Sequence, residues 1–487
     1  MLCVTVTAPT TAELRRQRDL VDDADLIELR LDSVGDPDVA GALQGRTRPV
    51  IVTCRASWEG GGFRGSEDER RRLLKHALDL GAEYIDVEWR ANFDDLLTFE
   101  GGRRIVVSSH DFDGLPADLA DRAQAMRRTG AGVVKMAVKA SRLSDCVTLL
   151  NLSRTFGARE RSVLIGMGEA GLSTRVLAQR FGSAWTYAGT VRDVGQIDAQ
   201  RLLTQFRFRS ISAATRVYGL VGLPVAHSLS PAMHNAAFAA AGIDAVYLPL
   251  PAADVDDIVE FAGAFGLAGA SVTIPYKVAL LDRVQEVDDV ARTVGALNTL
   301  RMDGARWSAR NTDLDGFLQP LRDRRVPLAG RRAAILGAGG SARAVAAGLA
   351  SQGAAVSVHA RNAQKAQSIA TLVSGTVGPF PPEPDTWDVL VNCTPVGMHP
   401  QTDISPMPSA RLSRGVVYDL IYNPPATRLM RDAATAGCDT IGGLDMLVGQ
   451  AQEQFEWWTG SRPSAGVMRA AASTRLSEFN TDEDHVI

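Results

Sequence analysis

Several polar side chains in residues 1–208 stand at or just after the ends of short apolar runs. When parallel strands close into a barrel, catalytic groups lie where those strands end. Scattered surface charges would show no such placement, so we treat this set as candidate site residues: Glu28, Arg30, Arg55, Glu59, His110, Lys135, Arg175 and Gln196.

Lys135 lies inside an apolar run, Gly-Val-Val-Lys-Met-Ala-Val. In a buried strand an ammonium group without a partner costs free energy. A free lysine with pKa ~10.4 is neutral in only about one molecule in a few thousand at pH 7. Desolvation and a nearby Arg55 or Arg175 would lower that pKa and make the amine a nucleophile toward a ketone. The alternative is a side chain that snorkels to the barrel rim. Lys139, after the run, is expected to be solvated.

His110 is the candidate base for the same site. A Schiff base acidifies the adjacent carbon, and an imidazole has a pKa near working pH. Glu59 could orient the ring. A packed, hydrogen-bonded histidine is the alternative, which the sequence leaves open.

Two hydroxyls introduce the second half of the chain, in Gly222-Leu-Pro-Val-Ala-His-Ser-Leu-Ser-Pro. Ser230 suits the N-cap of a helix with Pro231 at its first position. Ser228 and Ser230 at a helix N-terminus would favour a carboxylate ligand. His227 and His234 have no carboxylate cluster around them, so we expect no metal.

Lys277 and Asp313 are candidate proton-transfer groups. Lys277 ends Ala-Ser-Val-Thr-Ile-Pro-Tyr-Lys, Asn298 lies in Gly-Ala-Leu-Asn-Thr, and Asp313 lies in Asn-Thr-Asp-Leu-Asp-Gly. A lysine or an aspartate after a strand is more often simply solvated. The cofactor motif that follows these three residues in the sequence favours a catalytic role for them.

That motif is an apolar strand followed by glycines, and it fits the GxGxxG/A pattern of dinucleotide-binding loops. The next strand ends in Ala-Arg-Asn, where an NAD site would carry an acid for the ribose 2′-hydroxyl. Arg361 indicates a 2′-phosphate instead, and hence NADP. The candidate cofactor residues are Gly337, Ala338, Gly339, Gly340, Ser341, Ala342, Arg361, Asn362 and Lys365.

The elements that must position these groups alternate between β-branched runs and amphipathic stretches. Eight parallel strands over residues 1–209 predict a (β/α)₈ TIM barrel, with an open doubly wound sheet as the alternative. The helical candidates include Asp68–Leu80, Pro116–Thr129 and Thr174–Phe181. The predicted strands are Leu2–Thr7, Leu26–Leu31, Pro49–Cys54, Tyr84–Glu88, Arg104–Ser108, Val133–Val138, Ser162–Gly166 and Ala184–Ala188.

A second α/β series follows a polar joint at Ser210–Arg216. Its predicted strands are Val217–Val221, Val246–Leu250, Ala270–Ile274, Arg332–Leu336 and Ala355–His359. We expect a substrate-binding domain over 216–325, completed by about 445–475, and a Rossmann NADP-binding domain over 326–444. Residues 476–487, which end in an acidic stretch, are expected to form a flexible tail.

Composition excludes several classes of protein. The chain has 487 residues, 45% of them hydrophobic and 22% charged, with a formal net charge of −4. It has no basic run for nucleic acid and no apolar run of about 18 residues for a membrane. The 5 cysteines are scattered without CxxC spacing, and with no basic region at the start they predict a cytoplasmic protein. Oligomeric state is left open.

The motifs of residues 1–208 resemble type I 3-dehydroquinate dehydratase. They are Glu28-Leu-Arg30, Arg55-x-x-x-Glu59-Gly-Gly, Ser109-His110-Asp111-Phe112, Val134-Lys135-Met-Ala and Thr174-Arg175 with Gly195-Gln196. The resemblance implies that Lys135 forms an imine with the substrate ketone, that His110 removes the C2 proton and protonates the departing hydroxyl, and that Glu59 holds His110. Arg175 would bind the carboxylate. The residues that would contact the ring hydroxyls or order the site are Glu28, Arg30, Arg55 and Gln196. One departure is the short loop Val191-Arg-Asp-Val, where the family usually has Ser and Pro.

Residues 217–475 resemble shikimate dehydrogenase, a reductase that uses NADP. The resemblance implies that Ser228, Ser230 and Tyr422 bind the carboxylate, while Lys277 and Asp313 transfer the proton. Ring hydroxyls would be held by Thr273, Asn298 and Gln450, and Asn392 and Thr394 would line the cofactor. Two departures are Ser271 for a common Asn and Ala-Arg-Asn at 360–362 for a commoner Asn-Arg-Thr.

Together the halves predict a bifunctional enzyme that converts 3-dehydroquinate to 3-dehydroshikimate and then, with NADPH, to shikimate. A catabolic quinate/shikimate dehydrogenase is the enzymatic alternative. A regulatory metabolite sensor is the non-enzymatic one, and it would be expected to have lost residues such as Lys135 and Lys277.

Overall fold

Short runs of valine and isoleucine form the strands of the first half, because β-branched side chains fit a sheet that is covered on both faces. The computed structural model describes residues 1–189 and 195–483. These divide into two compact units, one of 1–216 with 250–265 and one of 217–249 with 266–487.

The first unit is a nearly closed parallel barrel. Within its described residues the strands are β1 Leu2–Val6, β2 Leu26–Arg30, β3 Val50–Thr53, β4 Tyr84–Glu88, β5 Ile105–Asp111, β6 Val133–Lys139, β7 Ser162–Met167 and β8 Thr186–Ala188. They pair in the order β7-β6-β5-β4-β3-β2-β1-β8, and a parallel bridge between Ser162 and Ser183 links the two ends. The predicted barrel is confirmed, and the open doubly wound sheet is excluded.

The helices of the barrel follow its strands along the chain. They are α1 Thr11–Asp19, α2 Val39–Leu43, α3 Glu67–Asp79, α4 Asp94–Leu97, α5 Leu119–Arg128, α6 Leu143–Ser153, α7 Leu172–Val176 and α8 Ala199–Thr204. Two boundaries differ from the sequence prediction in ways that affect the site. Strand β5 continues to Asp111, so His110 lies in the strand, and α7 begins at Leu172 and contains Arg175.

The chain after the barrel first builds a mixed sheet, the substrate lobe. Its elements are β9 Arg216–Gly222, α9 Ser230–Ala240, β10 Ala245–Pro251, α10 Val255–Phe265, β11 Leu267–Val272, α11 Tyr276–Ala279, β12 Glu286–Val287, α12 Asp289–Val294, β13 Thr299–Asp303, β14 Arg306–Arg310 and α13 Asp313–Asp323. The strand order is β10-β9-β11-β13-β14-β12. Helix α10 lies between β10 and β11 in the sequence but is part of the first unit and not of this lobe. There its Asp257 accepts hydrogen bonds from the backbone N–H of Leu143 and Ser144, at 3.1 and 2.8 Å.

A six-stranded parallel sheet follows, the dinucleotide lobe. Its elements are β15 Arg332–Leu336, α14 Gly340–Ser351, β16 Ala355–His359, α15 Ala363–Leu372, β17 Thr376–Gly378, β18 Val389–Asn392, β19 Val416–Asp419, α16 Arg428–Thr435 and β20 Asp439–Gly442. The order β17-β16-β15-β18-β19-β20 is that of a Rossmann fold and confirms the predicted class.

Two long helices end the described chain, α17 Gly443–Thr459 and α18 Ala465–Glu483. Both supply buried side chains to the core of the substrate lobe, Phe455 from α17 and Leu476 from α18. The expected tail from 476 is therefore helical to Glu483, because apolar residues on one face of the helix pack against that core. Among the described residues, no helix is both long and apolar enough to cross a bilayer.

Gly171 permits the close approach of β7 and the helix that carries Arg175. A Cβ atom there would lie 2.2 Å from the carbonyl oxygen of Gly166, which is backbone and cannot rotate away. We expect Gly171→Ala to lower the free energy of unfolding of the barrel by about 2 to 4 kcal/mol.

The matched control is Gly263→Ala in the exposed face of α10, where a Cβ atom would meet nothing within 4 Å. This change should stabilise the same unit by up to about 1 kcal/mol through helix propensity. Urea unfolding followed by circular dichroism measures both, and equal effects of the two substitutions would contradict the steric account.

Candidate active sites

The amine of Lys135 lies inside the barrel, enclosed by two carboxylates and an aromatic ring. Its side chain is 6% exposed, so it does not snorkel to the rim. Nζ lies 3.0 Å from Oδ2 of Asp86, 3.4 Å from Oε1 of Glu28 and 4.3 Å from the ring centre of Tyr187. The charged groups in contact with the amine are thus carboxylates, whereas the arginines that the sequence suggested have other partners, Arg55 with Asp86 and Arg175 with the carbonyl oxygen of Tyr187.

Each of these carboxylates has further partners. Glu28 accepts hydrogen bonds from the hydroxyls of Thr5 and Thr53, both at 2.9 Å. Asp86 pairs with Arg55 at 2.9 Å. Burial opposes ionisation of Asp86, but Arg55 and Lys135 hold the pKa of that carboxyl below its ordinary value. The amine is therefore held in place by a connected set of charges.

Sequence reasoning missed Asp86 and Glu88 as members of this set. Arg55 contacts Glu88 at 3.1 Å, and Glu88 also pairs with the buried Arg70. Both acids alternate with apolar residues inside Tyr-Ile-Asp-Val-Glu, and a charge on the inner face of a barrel strand was the signal that could have found them.

His110 and Glu59 are in direct contact, as the sequence suggested. Oε1 of Glu59 accepts a hydrogen bond from the backbone N–H of His110 at 2.9 Å and lies 2.9 Å from Nδ1 of its ring. Burial raises the pKa of Glu59 to about 7, although Arg55 opposes that shift. Two contacts to one oxygen leave the ring little freedom, so Nε2 faces away from Glu59.

The glycines after Glu59 bring this loop against its neighbours. A Cβ atom on Gly61 would lie 2.1 Å from the carbonyl oxygen of Arg55. The backbone N–H of Gly62 donates to Asp32 at 3.0 Å, and Asp32 makes a two-pronged contact with Arg30 at 2.8 and 2.9 Å. Asp32, a second missed residue, thereby ties Arg30 to the Glu59 loop.

Arg175 is buried near the same tyrosine as Lys135. Its Nη1 donates to the carbonyl oxygen of Tyr187 at 3.4 Å, and burial lowers the pKa of the guanidinium to about 10. Gln196 is half-buried, with its side chain against Gly189. The short loop Val191–Val194 lies outside the described residues.

The second candidate site centres on Lys277. Its Nζ donates to Oδ2 of Asp313 at 2.6 Å, and the amide of Asn298 donates to Oδ1 of the same aspartate at 2.8 Å. The three residues come from three separate motifs. Neither Lys277 nor Asp313 is simply solvated, since their side chains are 17% and 10% exposed.

The two serines of the predicted carboxylate site lie at the start of α9. Oγ of Ser228 accepts a hydrogen bond from the backbone N–H of Ser230 at 3.2 Å. The helix begins at Ser230, so its N-cap is Leu229 and the prediction of Ser230 as N-cap is wrong by one position. The hydroxyl of Ser228, one residue before the N-cap, thus serves the first N–H of the helix.

The two histidines near these serines lie among aromatic rings. His234 is buried and stacks on Tyr247 with ring centres 4.5 Å apart, and His227 contacts Phe479. Burial lowers the pKa of His234 to about 3. Within the described ranges, no group of three metal-ligating side chains comes together.

The other predicted substrate contacts follow the same strands and helices. Thr273 comes directly after β11, four residues before Lys277, and its methyl group lies over Gly222. Tyr422 follows β19 and is half-buried, while Gln450 is buried on α17. The backbone of Gly316 approaches that of Gln450 so closely that a Cβ atom would lie 2.6 Å from its nitrogen.

The glycine loop after β15 has an open backbone. Gly337 has a φ of +101°, which other residues rarely adopt, and a Cβ atom on Gly339 would enter open space. The first N–H groups of α14 have no partner within the helix, and Gly339 at its N-cap has no side chain to cap them. The loop containing Ala338, Ser341 and the buried Ala342 thus suits an anion.

The remaining predicted cofactor residues lie at the ends of neighbouring strands. Arg361 and Lys365 are exposed, and Asn362 caps α15 by accepting from the backbone N–H of Lys365 at 2.9 Å. Asn392 accepts from the hydroxyl of Thr394 at 2.7 Å and donates to the buried Asp419 at 3.0 Å. Asp419, missed from sequence, fixes the orientation of that pair.

With this geometry in hand, comparison with known proteins places both halves. Residues 2–213 match the family model of type I 3-dehydroquinase, and residues 220–300 and 443–472 match the substrate binding domain of shikimate dehydrogenase and the C-terminal domain of shikimate 5′-dehydrogenase. The chain is 34% identical over 474 residues to a chloroplastic bifunctional 3-dehydroquinate dehydratase/shikimate dehydrogenase of Arabidopsis thaliana, covering 90% of this chain and 78% of that one. The chain belongs to this bifunctional family.

Relatives of the second half alone agree with that assignment. A shikimate dehydrogenase (NADP(+)) of Symbiobacterium thermophilum is 42% identical over 278 residues, covering 54% of this chain and 95% of the other. The crystal structure of shikimate 5-dehydrogenase from Thermus thermophilus, in complex with NADP(H) and shikimate, has a TM-score of 0.50 and 34% identity and covers 53% of this chain and 99% of that one.

The surroundings of His110 make a prediction about its protonation. Burial, and then the positive charges of Arg55 and Lys135, lower its pKa well below the ordinary value. We expect the ring to stay neutral at pH 6, where an unperturbed histidine with a pKa of about 6.5 is mostly protonated. Because the unfolded chain binds that proton and the folded chain does not, the contribution of His110 to stability should fall as the pH drops below about 6.5, while the raised pKa of Glu59 contributes in the opposite sense over the same range.

Two-bond ¹H–¹⁵N spectra of histidine-labelled protein measure this directly, with His110→Asn assigning the signal. An imidazolium pattern for His110 at pH 6 would contradict the expectation.

Proposed function

We propose that the barrel dehydrates 3-dehydroquinate through a Schiff base on Lys135. The amine condenses with the substrate ketone and releases water. His110 then takes the C2 proton and gives a proton to the departing hydroxyl, so that a second water leaves as the double bond forms. Hydrolysis of the imine releases 3-dehydroshikimate and restores the amine.

The residues around Lys135 support these roles. Asp86 and Glu28 hold the amine against the wall of the barrel, and the Glu59 contact leaves Nε2 of His110 to accept the proton. A neutral His110 is in the state that a base requires. We propose that Arg175 binds the substrate carboxylate, while Arg30, Arg55 and Gln196 bind its hydroxyls or order the site.

We propose that the second unit reduces 3-dehydroshikimate to shikimate with NADPH. Bound NADPH would supply the hydride for the ketone carbon, and the Lys277–Asp313 pair would supply the proton for the oxygen. One observation carries this proposal. The side chain of Lys277 reaches within 3.9 Å of where a Cβ atom of Gly340 would lie, so the proton-transfer pair adjoins the dinucleotide loop.

The substrate and cofactor contacts in this unit follow from the same residues. Ser228, Ser230 and Tyr422 would bind the carboxylate, and the ring hydroxyls would be bound by Thr273, Asn298 and Gln450. The glycine loop would hold the pyrophosphate, Asn392 and Thr394 would line the nicotinamide side, and Arg361 with Lys365 would pair with the 2′-phosphate.

We also propose a reducing compartment, the cytoplasm. Its support is the state of the five cysteines, which are unpaired. The partners that this function requires are small carboxylated molecules and the dinucleotide, and the formal charge of −4 offers no attraction for a nucleic acid.

The two activities should be separable by single substitutions. Lys135→Ala should abolish formation of the enone from 3-dehydroquinate and leave reduction of 3-dehydroshikimate unchanged, because the two amines serve different reactions. Lys277→Ala should do the reverse. Absorbance at the enone band, followed by NADPH oxidation, measures both on one sample.

Covalent capture provides an independent check of the first reaction. Borohydride with 3-dehydroquinate should add one substrate to the wild-type chain and none to Lys135→Ala, as seen by mass spectrometry. A Lys135→Ala protein that still gains the label would exclude the imine at this residue.

Arg361 should determine the choice of cofactor. Loss of a charge-assisted contact to a phosphate costs about 1.5 to 3 kcal/mol, so Arg361→Ala should raise the Kd for NADPH by about tenfold or more. The Kd for NADH should stay the same, since NADH has no 2′-phosphate. Tryptophan fluorescence titration with both cofactors tests this, and a parallel loss of both affinities would contradict it.

A further inference from the structure

A chain of buried hydrogen bonds runs through the substrate lobe behind the proposed carboxylate site. The backbone of Tyr247 is hydrogen-bonded to Asn235 of helix α9, and the hydroxyl of Tyr247 donates to Oγ of Ser271 at 2.6 Å. Oγ of Ser271 in turn donates to Oε1 of Gln454 at 2.7 Å. The chain so far connects helix α9, strands β10 and β11, and helix α17.

The same series of hydrogen bonds continues to the proton-transfer pair. Nε2 of Gln454 donates to the main-chain carbonyl oxygen of Asn298 at 3.4 Å. The side chain of Asn298 donates to Asp313, which pairs with Lys277. Helix α9, which begins at a serine proposed to bind the substrate carboxylate, is thereby linked to the aspartate proposed to act at the substrate ketone.

Every connecting side chain is buried. Tyr247 is 0% exposed, Gln454 1% and Ser271 5%. A buried polar group without a partner costs about 1 to 3 kcal/mol, so a fully connected chain resists the displacement of any member. This series of hydrogen bonds therefore fixes the positions of the side chains in it as well as stabilising the lobe.

Tyr247 is itself fixed from two further directions. Its backbone N–H donates to Oδ1 of Asn235 at 2.8 Å, and its carbonyl oxygen accepts from Nδ2 of the same residue at 2.8 Å. Its ring stacks on that of His234. The backbone of Tyr247 is therefore held against α9 and its ring is held by stacking, and together these place its hydroxyl beside Ser271.

Ser271 suits its place in the chain because a hydroxyl can accept and donate at the same time. It accepts from Tyr247 on one side and donates to Gln454 on the other. The departure from the asparagine that shikimate dehydrogenases commonly have here thus has a structural counterpart in this protein.

We propose that Tyr247, Ser271 and Gln454 are positioning residues of the reductase site, which set the spacing between Ser230 and the Lys277–Asp313 pair. This inference rests on the proposed reduction of 3-dehydroshikimate. A substrate anchored at its carboxylate and reacting at its ketone needs both ends held in register, since a misplacement of about 1 Å can cost a hundredfold in rate.

Tyr247→Phe and Ser271→Ala test the inference, because each removes one hydroxyl and keeps the rest of the shape. Each should lower kcat/KM for 3-dehydroshikimate by about tenfold, as expected for one buried partner left unsatisfied. Ser271→Thr keeps the hydroxyl and should restore most of that loss. The Kd for NADPH should equal that of the wild type in all three variants, because the dinucleotide lobe is unchanged.

Tyr418→Phe is the matched control. Tyr418 is 0% exposed on β19, and within the described part of the chain its hydroxyl has no hydrogen-bond partner. Removal of that hydroxyl should leave kcat/KM at the wild-type value. Dehydratase turnover on the same samples reports the amount of folded chain.

The outcomes separate the two levels of the proposal. A wild-type chain that fails to reduce 3-dehydroshikimate refutes the proposed function and the inference with it. Wild-type turnover with unchanged kcat/KM in Tyr247→Phe and Ser271→Ala refutes the positioning role alone. If these variants lose both NADPH binding and turnover, the three residues have a general packing role, and that result also overturns the inference.

Discussion

An amine buried inside a parallel barrel is the constraint on which the first unit depends. Removal of a charge from water costs several kcal/mol, and only close partners offset that cost. Asp86 and Glu28 provide such partners for Lys135, but each carboxylate is then itself a buried charge that requires partners. Arg55 pairs with the first, and two threonine hydroxyls serve the second. One lysine thus determines residue types around much of the barrel interior.

The second lysine obeys the same physics in a different setting. Lys277 has one carboxylate, Asp313, and remains more exposed than Lys135. Its side chain adjoins the glycine loop, and a group proposed to donate a proton there must lie at an open edge that a cofactor can enter. Asn298 compensates by holding the other oxygen of Asp313, so the pair keeps its geometry without deep burial.

The two units offer different groups to an anion. In the barrel, guanidinium groups such as that of Arg175 supply positive charge from inward-facing positions. In the second unit, the starts of helices α9 and α14 offer backbone N–H groups, with hydroxyls near one and glycines near the other. Charge from side chains suits a closed interior, while helix ends suit ligands that arrive at the edge of a sheet.

The sequence by itself determined the barrel and the Rossmann sheet, and the order of its strands brought out the pairing of His110 with Glu59 although the two are 51 residues apart. Periodicity and loop glycines indicate local backbone geometry, because that geometry depends on residues that are neighbours in the sequence. The sequence did not reveal Asp86, Glu88, Asp32 or the chain through Tyr247, and it placed a tail where α18 packs. Those features depend on which side chains meet across strands distant in sequence, and only the tertiary structure decides that.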